Sequence, residues 1–393
     1  MSKYERVALG SLVNEYSERN RALACTDVYS VTNSEGFTPS TDYFSKEVFS
    51  KNISSYKVVR RGMFAYNPSR VNVGSISWLN CKDTVVISPM YVVFKIDEAS
   101  LLQSYLDYFL HSGFGIAQIH GLTSGSVRDT LKYSALEQIK IPLPSREIQQ
   151  QITAVLDRTK ALIIARREQI AVLDKLAKDL FVEMFGDPAQ NTMSWDIVSF
   201  SECVSKIENG DSPKCLQREA EHNEKGVLKL SAVTKGIYRE YENKAAPHIE
   251  LDSNNEIKQG DLLMTRKNTQ ELVGMCTYVF ATRSKLFLPD IVFRLCTTKK
   301  INKLFLWQLM NFPAFRPNVR LLAHGAAASM PNISKSKLMT LPIICPPIAT
   351  QESYGDCLLQ INTQQSRLTA SLAELETLYQ SLTERAFAGE LFG

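Results

Sequence analysis

Two stretches of the chain place apolar residues at alternating steps of three and four, and the rest alternates more tightly. From Ser145 to Phe185 there is neither Pro nor Gly. Across that stretch Ile148, Ile152, Val155, Leu162, Leu173, Leu176 and Leu180 keep the spacing, with Thr159, Arg166 and Gln169 as polar members. From about Thr350 to Phe387, interrupted by Gly355, the residues Leu358, Ile361, Leu368, Leu372, Leu375, Tyr379 and Leu382 do the same, with Gln365 as the polar member. A period near 3.5 predicts long helices whose apolar seam faces a partner helix. About forty residues at ~1.5 Å each give a rod of roughly 60 Å. Polar seam positions weaken the pairing and fix its register.

The segments ahead of these helices read differently. Short β-branched runs such as Val58-Val59, Thr84-Val85-Val86-Ile87 and Met90 to Ile96 lie between Gly, Asn and Pro, and predict strands and turns. The same grammar occurs twice, at an offset near 200. Tyr4-x-x-Val7-x-Leu9 is answered by Trp195-x-x-Val198-x-Phe200, and Gly62 with Gly74 by Gly260 with Gly274. Pro89 and Tyr91 to Phe94 are answered by Pro289 and Ile291 to Phe293, Ile141-Pro142 by Leu341-Pro342, and Gln149 by Gln351. Each match is weak alone; a dozen in order point to two copies of one unit.

The expected fold class is therefore α+β: two mixed α/β domains separated by two long antiparallel coiled-coil helices, a pseudo-twofold internal repeat. The expected boundaries are domain one at 1–144, a spacer helix at 145–186, domain two at 187–347 and a second spacer helix at 348–393. The competing arrangement has each helix packed on its own domain core.

Composition narrows the class. The chain has 393 residues, a 44% hydrophobic fraction and a net charge of only +4, as in an ordinary globular protein. No run approaches the roughly 18 apolar residues of a membrane span, and the N-terminus lacks the apolar core of a signal peptide. Eight scattered cysteines without a CxxC pair suggest reduced thiols, and with them a cytoplasmic location.

Charge is segregated along the chain. No Asp or Glu occurs from Val48 to Lys82 or from Ile291 to Gln351, whereas the second helical stretch leans acidic. Acid-free basic stretches mixed with Asn, Ser and aromatics suit a phosphate backbone with base edges beyond it. Arg reads guanine bidentately, and Lys mainly neutralises phosphate. A solvated basic face without a ligand is the competing reading of any one cluster.

No catalytic constellation stands out. Asn67-Pro68-Ser69-Arg70 lacks the second Pro and the aromatic ring of an amino-methyltransferase motif and reads as a turn. Pro289-Asp290 has no following Glu-x-Lys to complete a nuclease metal site. The five histidines have no zinc spacing, and neither a dinucleotide fingerprint nor a phosphate loop is present.

The order of domain, Pro-rich joint and long helix, repeated once, resembles the specificity subunit of type I restriction–modification systems. Ile141-Pro142-Leu143-Pro144 with Gln149-Gln150 is similar to that family's entry into its long helices. Lys229-Leu230-Ser231-Ala232-Val233 and Gln259-Gly260-Asp261-Leu262-Leu263 are similar to strand motifs of its target-recognition domains, and Arg385-Ala386-Phe387-x-Gly389-Glu390-Leu391 to its usual ending. Two departures are Glu352, where a second Gln is usual, and Gly355, which could kink or delay the second helix.

The resemblance implies a non-catalytic subunit whose two target-recognition domains each read half of a bipartite double-stranded DNA site. It implies helices that set the spacer and dock two methyltransferase (modification) subunits, with motor–nuclease (restriction) subunits as further partners. No cofactor is expected on this chain; S-adenosylmethionine would be bound by the methyltransferase partner and ATP with Mg by the restriction partner. The residues expected at DNA are Arg60, Arg61, Asn67, Arg70, Asn72, Ser124 and Arg128 in domain one. In domain two they are Lys229, Arg266, Lys267, Asn268, Arg316, Arg320 and His324. A coiled-coil adaptor for proteins, without DNA specificity, is the alternative of a different class.

Overall fold

The computed structural model describes residues 4–33, 35–40, 52–123, 130–324 and 330–392. It divides into two compact units, Met1–Glu168 with Thr369–Gly393, and Gln169–Leu368.

In the first unit the central antiparallel sheet has the order β1-β4-β2-β3, where β1 is Val13–Glu15, β2 Phe64–Tyr66, β3 Ile76–Trp78 and β4 Val92–Ile96. Phe64 pairs with Phe94 across β2 and β4, and their rings stack at 5.2 Å. A second sheet holds the parallel pair Val28–Thr32 and Thr84–Ile87, and Arg6–Ala8 pairs with Lys140–Pro142 at the entry to the long helix. Helix α1 (Gln103–His111) covers the central sheet with Tyr105, Leu106 and Phe109, all buried. The long helix α2 follows, Arg146–Phe185.

The second unit runs through the same order. Its central sheet is β5-β8-β6-β7, with β5 Val204–Asn209, β6 Leu262–Thr265, β7 Cys276–Tyr278 and β8 Val292–Thr297. Gly226–Leu228 and Leu286–Phe287 form the parallel pair, and Ile197–Ser199 pairs with Pro342–Ile344. Helix α3 (Lys303–Asn311) takes the covering place, and α4 (Ile348–Ala388) is the second long helix. One turn shows why the sequences agree here: Gly62 and Gly260 precede β2 and β6 with φ of +87° in both, a conformation that disfavours a Cβ.

Both long helices are shared between the units. In the first unit Ile148, Ile152 and Leu156 of α2 join Tyr379, Leu382, Ala386 and Phe387 of α4 in one core with α1. In the second, Leu173, Ala177, Leu180, Phe181 and Phe185 of α2 join Tyr354, Leu358 and Ile361 of α4. Within each unit the helices also touch directly: Arg167 pairs with Glu376 at 2.6 Å in the first, and Gln365 donates to Asp174 at 2.6 Å in the second. Helix-on-helix and helix-on-core packing thus coexist, and were not the alternatives that the periodicity suggested.

The inward stripe of α2 corrects the sequence reading. Leu162 and Leu176 are 50% and 48% exposed, and Val155 only flanks the stripe. A stripe of buried or half-buried positions runs through Ile152, Leu156, Thr159, Ile163, Arg166, Ile170, Leu173, Ala177, Leu180 and Met184, again in steps of four and three, with Thr153, Phe181 and Phe185 buried beside it. Adjacent helical residues point ~100° apart, so counting on leucine in Leu162-Ile163-Ile164 and Leu176-Ala177 rotates the stripe locally. On α4 the inward positions are Leu358, Ile361, Gln365, Leu368, Leu372, Leu375, Tyr379 and Leu382.

The helix entries are tied by a buried glutamine in each unit. Gln149 donates to the carbonyls of Ser100 and Pro144 at 2.9 and 3.0 Å and accepts from the Leu102 amide at 2.9 Å. Gln351 donates to Lys300 and Pro346 at 3.3 and 2.7 Å and accepts from Asn302 at 2.9 Å. Gln150 and Glu352 are both exposed, so the departure at 352 falls where no packing depends on it. Gly355 lies inside α4, which starts at Ile348, so it does not delay the helix. Among the described residues no helix is long and apolar enough to cross a membrane.

Candidate nucleic-acid interface

In each unit two chain segments distant in sequence are fastened side by side beyond the end of the central strand β2 or β6. In the first unit the amide of Leu131 donates to the carbonyl of Pro68 at 3.0 Å; in the second, the amide of Ile333 donates to the carbonyl of Arg266 at 3.0 Å. The loop itself is closed alike, by Asn67 onto Ser75 at 3.2 Å and by Thr265 onto Met275 at 2.9 Å. By this register Arg266 occupies the place of Pro68. The backbone frame is common to both units and the side chains on it differ.

Among the described residues the second unit carries the denser cluster of cations. Arg266 is half-buried; its Nε donates to Asn332 Oδ1 at 3.1 Å and its Nη1 to the Asp290 carbonyl at 3.4 Å. Its guanidinium lies 5.8 Å from the Phe293 ring centre, and Lys335 approaches the same ring at 5.9 Å. Lys267 bridges to Asn332 through the backbone, and His324 pairs with Asn332 and is exposed. The Asp290 carboxylate is engaged by the Ser212 hydroxyl. Among the described residues no carboxylate forms an ion pair with Arg266, Lys267 or Lys335, so their charge is available to an external anion.

Two residues expected at DNA point inward instead. Arg316 is 4% exposed and donates to the carbonyls of Gly274, Val273 and Glu271 at 2.8, 2.6 and 3.2 Å. Burial pushes its pKa down from the ordinary value. Asn268 is 5% exposed, donates to Thr234 Oγ1 at 3.2 Å and accepts from the Thr269 amide at 2.9 Å. Arg320 adds a bond to the Glu271 carbonyl at 3.0 Å. These side chains satisfy the loop after β6 and so shape it, because its buried carbonyls have no strand partner. The apolar flank Phe312 to Phe315 was the available sign that Arg316 begins a packed helix.

In the first unit Arg60 ends the strand Lys57–Arg60 and Arg61 follows it in the turn ahead of β2, whereas Asn67, Arg70 and Asn72 follow the end of β2. Arg60 is paired with Glu18 through two contacts of 2.7 and 2.9 Å, and Arg61 with Asp83 at 2.8 Å. The Arg60 hydrogen bond holds the Glu18 carboxyl down at about 2, well below the usual range, and its partners raise Arg60. An acid-free window in sequence is thus not acid-free in space: both arginines have a carboxylate partner. Arg70 is exposed, and among the described residues its guanidinium has no partner; Asn72 is half-buried, and Asn67 accepts from the Ser69 amide at 3.1 Å. Lys229 faces Glu242 at 3.6 Å. Ser124 and Arg128 lie outside the described residues.

Asn332, Phe293 and Lys335 were not among the expected site residues. Asn332 reaches Arg266 across 66 positions of sequence, and only the repeat could have flagged it, since Ile333 answers Leu131 in the strand register. Among the described residues no group of three or more His, Cys, Asp or Glu stands close enough to hold a metal ion.

Comparison with known proteins bears on this arrangement. A family model described as the type I restriction modification DNA specificity domain matches residues 41–174. The chain is 30% identical to the EcoEI type I restriction enzyme specificity subunit of Escherichia coli over 206 residues, 51% of this chain and 35% of that protein. It therefore spans about a third of that relative's length. To the EcoKI specificity subunit of E. coli K12 it is 24% identical over 313 residues, 75% of this chain and 67% of that one. Its fold is shared with the S subunit of a type I restriction–modification system from M. genitalium, at a TM-score of 0.62, 12% identity, and coverage of 98% of this chain and 96% of that one.

Proposed function

We propose that this chain, a member of the type I restriction–modification specificity-subunit family, supplies the DNA address of a methyltransferase complex and none of its chemistry. Each unit reads one half of a bipartite double-stranded site with the paired loops beyond β2 or β6. The observation that carries this reading is the recurrence of one frame, Leu131 on Pro68 and Ile333 on Arg266, with cations beside it that have no ion-pair partner among the described residues and different side chains on it. Equal frames with unequal side chains are what two readers of two different half-sites need. We read the shared strand order as an internal duplication, and the four-three stripes of α2 and α4 as an antiparallel coiled coil.

In the full complex the long helices set the unread spacer and dock two modification subunits. The exposed apolar side chains Leu162, Ile164, Val172 and Leu176 on α2 and Leu359 and Leu378 on α4 support such docking. S-adenosylmethionine would be held by those subunits, and ATP with Mg by restriction subunits where they join. This assembly belongs in the cytoplasm with the DNA it marks.

The test is to map methylated adenines across a genome with and without this gene, in a host supplying the modification subunits. Methylation at one bipartite motif that disappears with the gene is the expected result. An unchanged methylation map, with binding to protein partners only, would establish the adaptor reading instead. Methyl transfer by the isolated chain would show that it carries its own chemistry.

A further inference from the structure

We infer that the second unit recognises a guanine through Arg266, and that Asn332 is the positioning residue which fixes the plane of that guanidinium. The inference rests on the specificity-subunit reading and deepens it by naming the base class at one position of one half-site.

Arg266 is constrained at both ends. Its amide donates to the Ile291 carbonyl at 2.9 Å and its carbonyl accepts from Ile333 at 3.0 Å, so the Cα is held between two strands. The side chain then meets Asn332 Oδ1 through Nε, the Asp290 carbonyl through Nη1, and the face of Phe293. A guanidinium carries five N–H donors. Nε and one Nη1 hydrogen are occupied, which leaves hydrogens on the two adjacent Nη atoms. Among the described residues Nη2 has no partner. Two parallel donors on neighbouring nitrogens match the O6 and N7 acceptors of guanine in the major groove.

The contrast with Arg316 decides against a bracing role. Arg316 is buried and commits both Nη atoms to carbonyls of its own loop. Arg266 stays half-buried and, among the described residues, keeps one Nη free. Lys267 and Lys335 beside it are single-point cations, suited to phosphate, which cannot supply the planar fork. A free arginine has many rotamers, so an acceptor that fixes Nε beforehand lowers the ordering cost at binding. Pro68 occupies the equivalent place in the first unit, so the guanine contact is confined to the half-site read by the second.

The experiment uses the full chain assembled with its modification subunits and a DNA library randomised across both half-sites, with methylated positions read by sequencing. The wild type should show a guanine at one position of one half-site, and Arg266→Ala should reduce that preference at least about tenfold there while the other half-site is read as before. That intact half-site reports that the variant chain has folded and assembled. Arg266→Lys should not restore the preference. Asn332→Ala should weaken the same position by a smaller factor, and Asn332→Asp, which keeps the acceptor, should restore the ratio at lower overall affinity. An Arg266→Ala motif identical to the wild type, or a uniform loss at all positions, overturns the base contact. Full discrimination in Asn332→Ala overturns the positioning role. A wild-type complex that methylates without selectivity would sink the specificity-subunit reading itself, and this inference with it.

Discussion

A Cβ placed on Gly355 would stand 3.0 Å from the side-chain nitrogen of Asn302. Asn302 cannot readily yield, because its Oδ1 caps α3 by accepting from the Leu304 and Phe305 amides at 2.8 and 3.3 Å. Replacing a helical Gly by Ala normally gains about 1 kcal/mol. Here the close approach should reverse the sign, since the cap must shift and a lost cap costs about 1 kcal/mol or more. Thermal melts should rank wild type above Gly355→Ala, and Gly355→Ala above Gly355→Leu. A raised melting temperature for Gly355→Ala would show that the contact relaxes freely.

Asn302 is also held from its other side by Gln351, whose side chain is fully buried. Gln351→Ala leaves an amide and two carbonyls without their partner, at about 1–3 kcal/mol for each group that water cannot reach. The expected loss is roughly 3 kcal/mol for Gln351→Ala, and as much for Gln149→Ala, which breaks the same three contacts in the first unit. Denaturant titration of each variant checks this. A shift below about 1 kcal/mol would mean that solvent replaces the glutamine.

Ile163 and Leu162 are neighbours with opposite fates, 8% and 50% exposed. Ile163→Asp should cost several kcal/mol, because it places a carboxylate in the buried stripe of α2; about 3 kcal/mol is a lower expectation. Leu162→Asp should change stability by less than about 0.5 kcal/mol. If α2 docks the modification subunits as proposed, Leu162→Asp should instead reduce their co-purification. Equal destabilisation by the two substitutions would return Leu162 to the buried stripe.

That pair also marks how far sequence reading reaches. The period of α2 and the order of the elements follow from apolar spacing, which survives any single ambiguous residue. The phase does not, because Leu162-Ile163-Ile164 is apolar at every position and only packing selects one. The same limit governs the site. Gly62, Gly260 and the two buried glutamines were visible because backbone geometry demands those residue types. The roles of Arg60 and Arg316 were not, since they depend on Glu18 and on the Gly274 carbonyl, each about forty residues away. A basic residue in sequence becomes a basic surface only where the fold leaves it unpaired.

Arg60 and Arg70 test that statement within one unit. Arg70 is exposed and unpaired among the described residues, so Arg70→Ala should lower DNA affinity and reduce the slope of log K against log salt by about 1. Arg60→Ala should change the slope little at neutral pH, because Glu18 already balances the charge. The carboxyl of Glu18 provides the internal check. Its pKa, held at about 2 by Arg60, lies below the unfolded value, so any stabilisation by the pair is complete above the ordinary carboxylate range and fades as pH falls towards 2. Carboxyl NMR titration should find a midpoint near 2 in the wild type and a higher one in Arg60→Ala, where the Tyr16 hydroxyl still lowers the carboxyl. Should the wild-type midpoint be ordinary, Arg60 is unpaired in solution, and its removal ought then to flatten the salt slope as much as removal of Arg70.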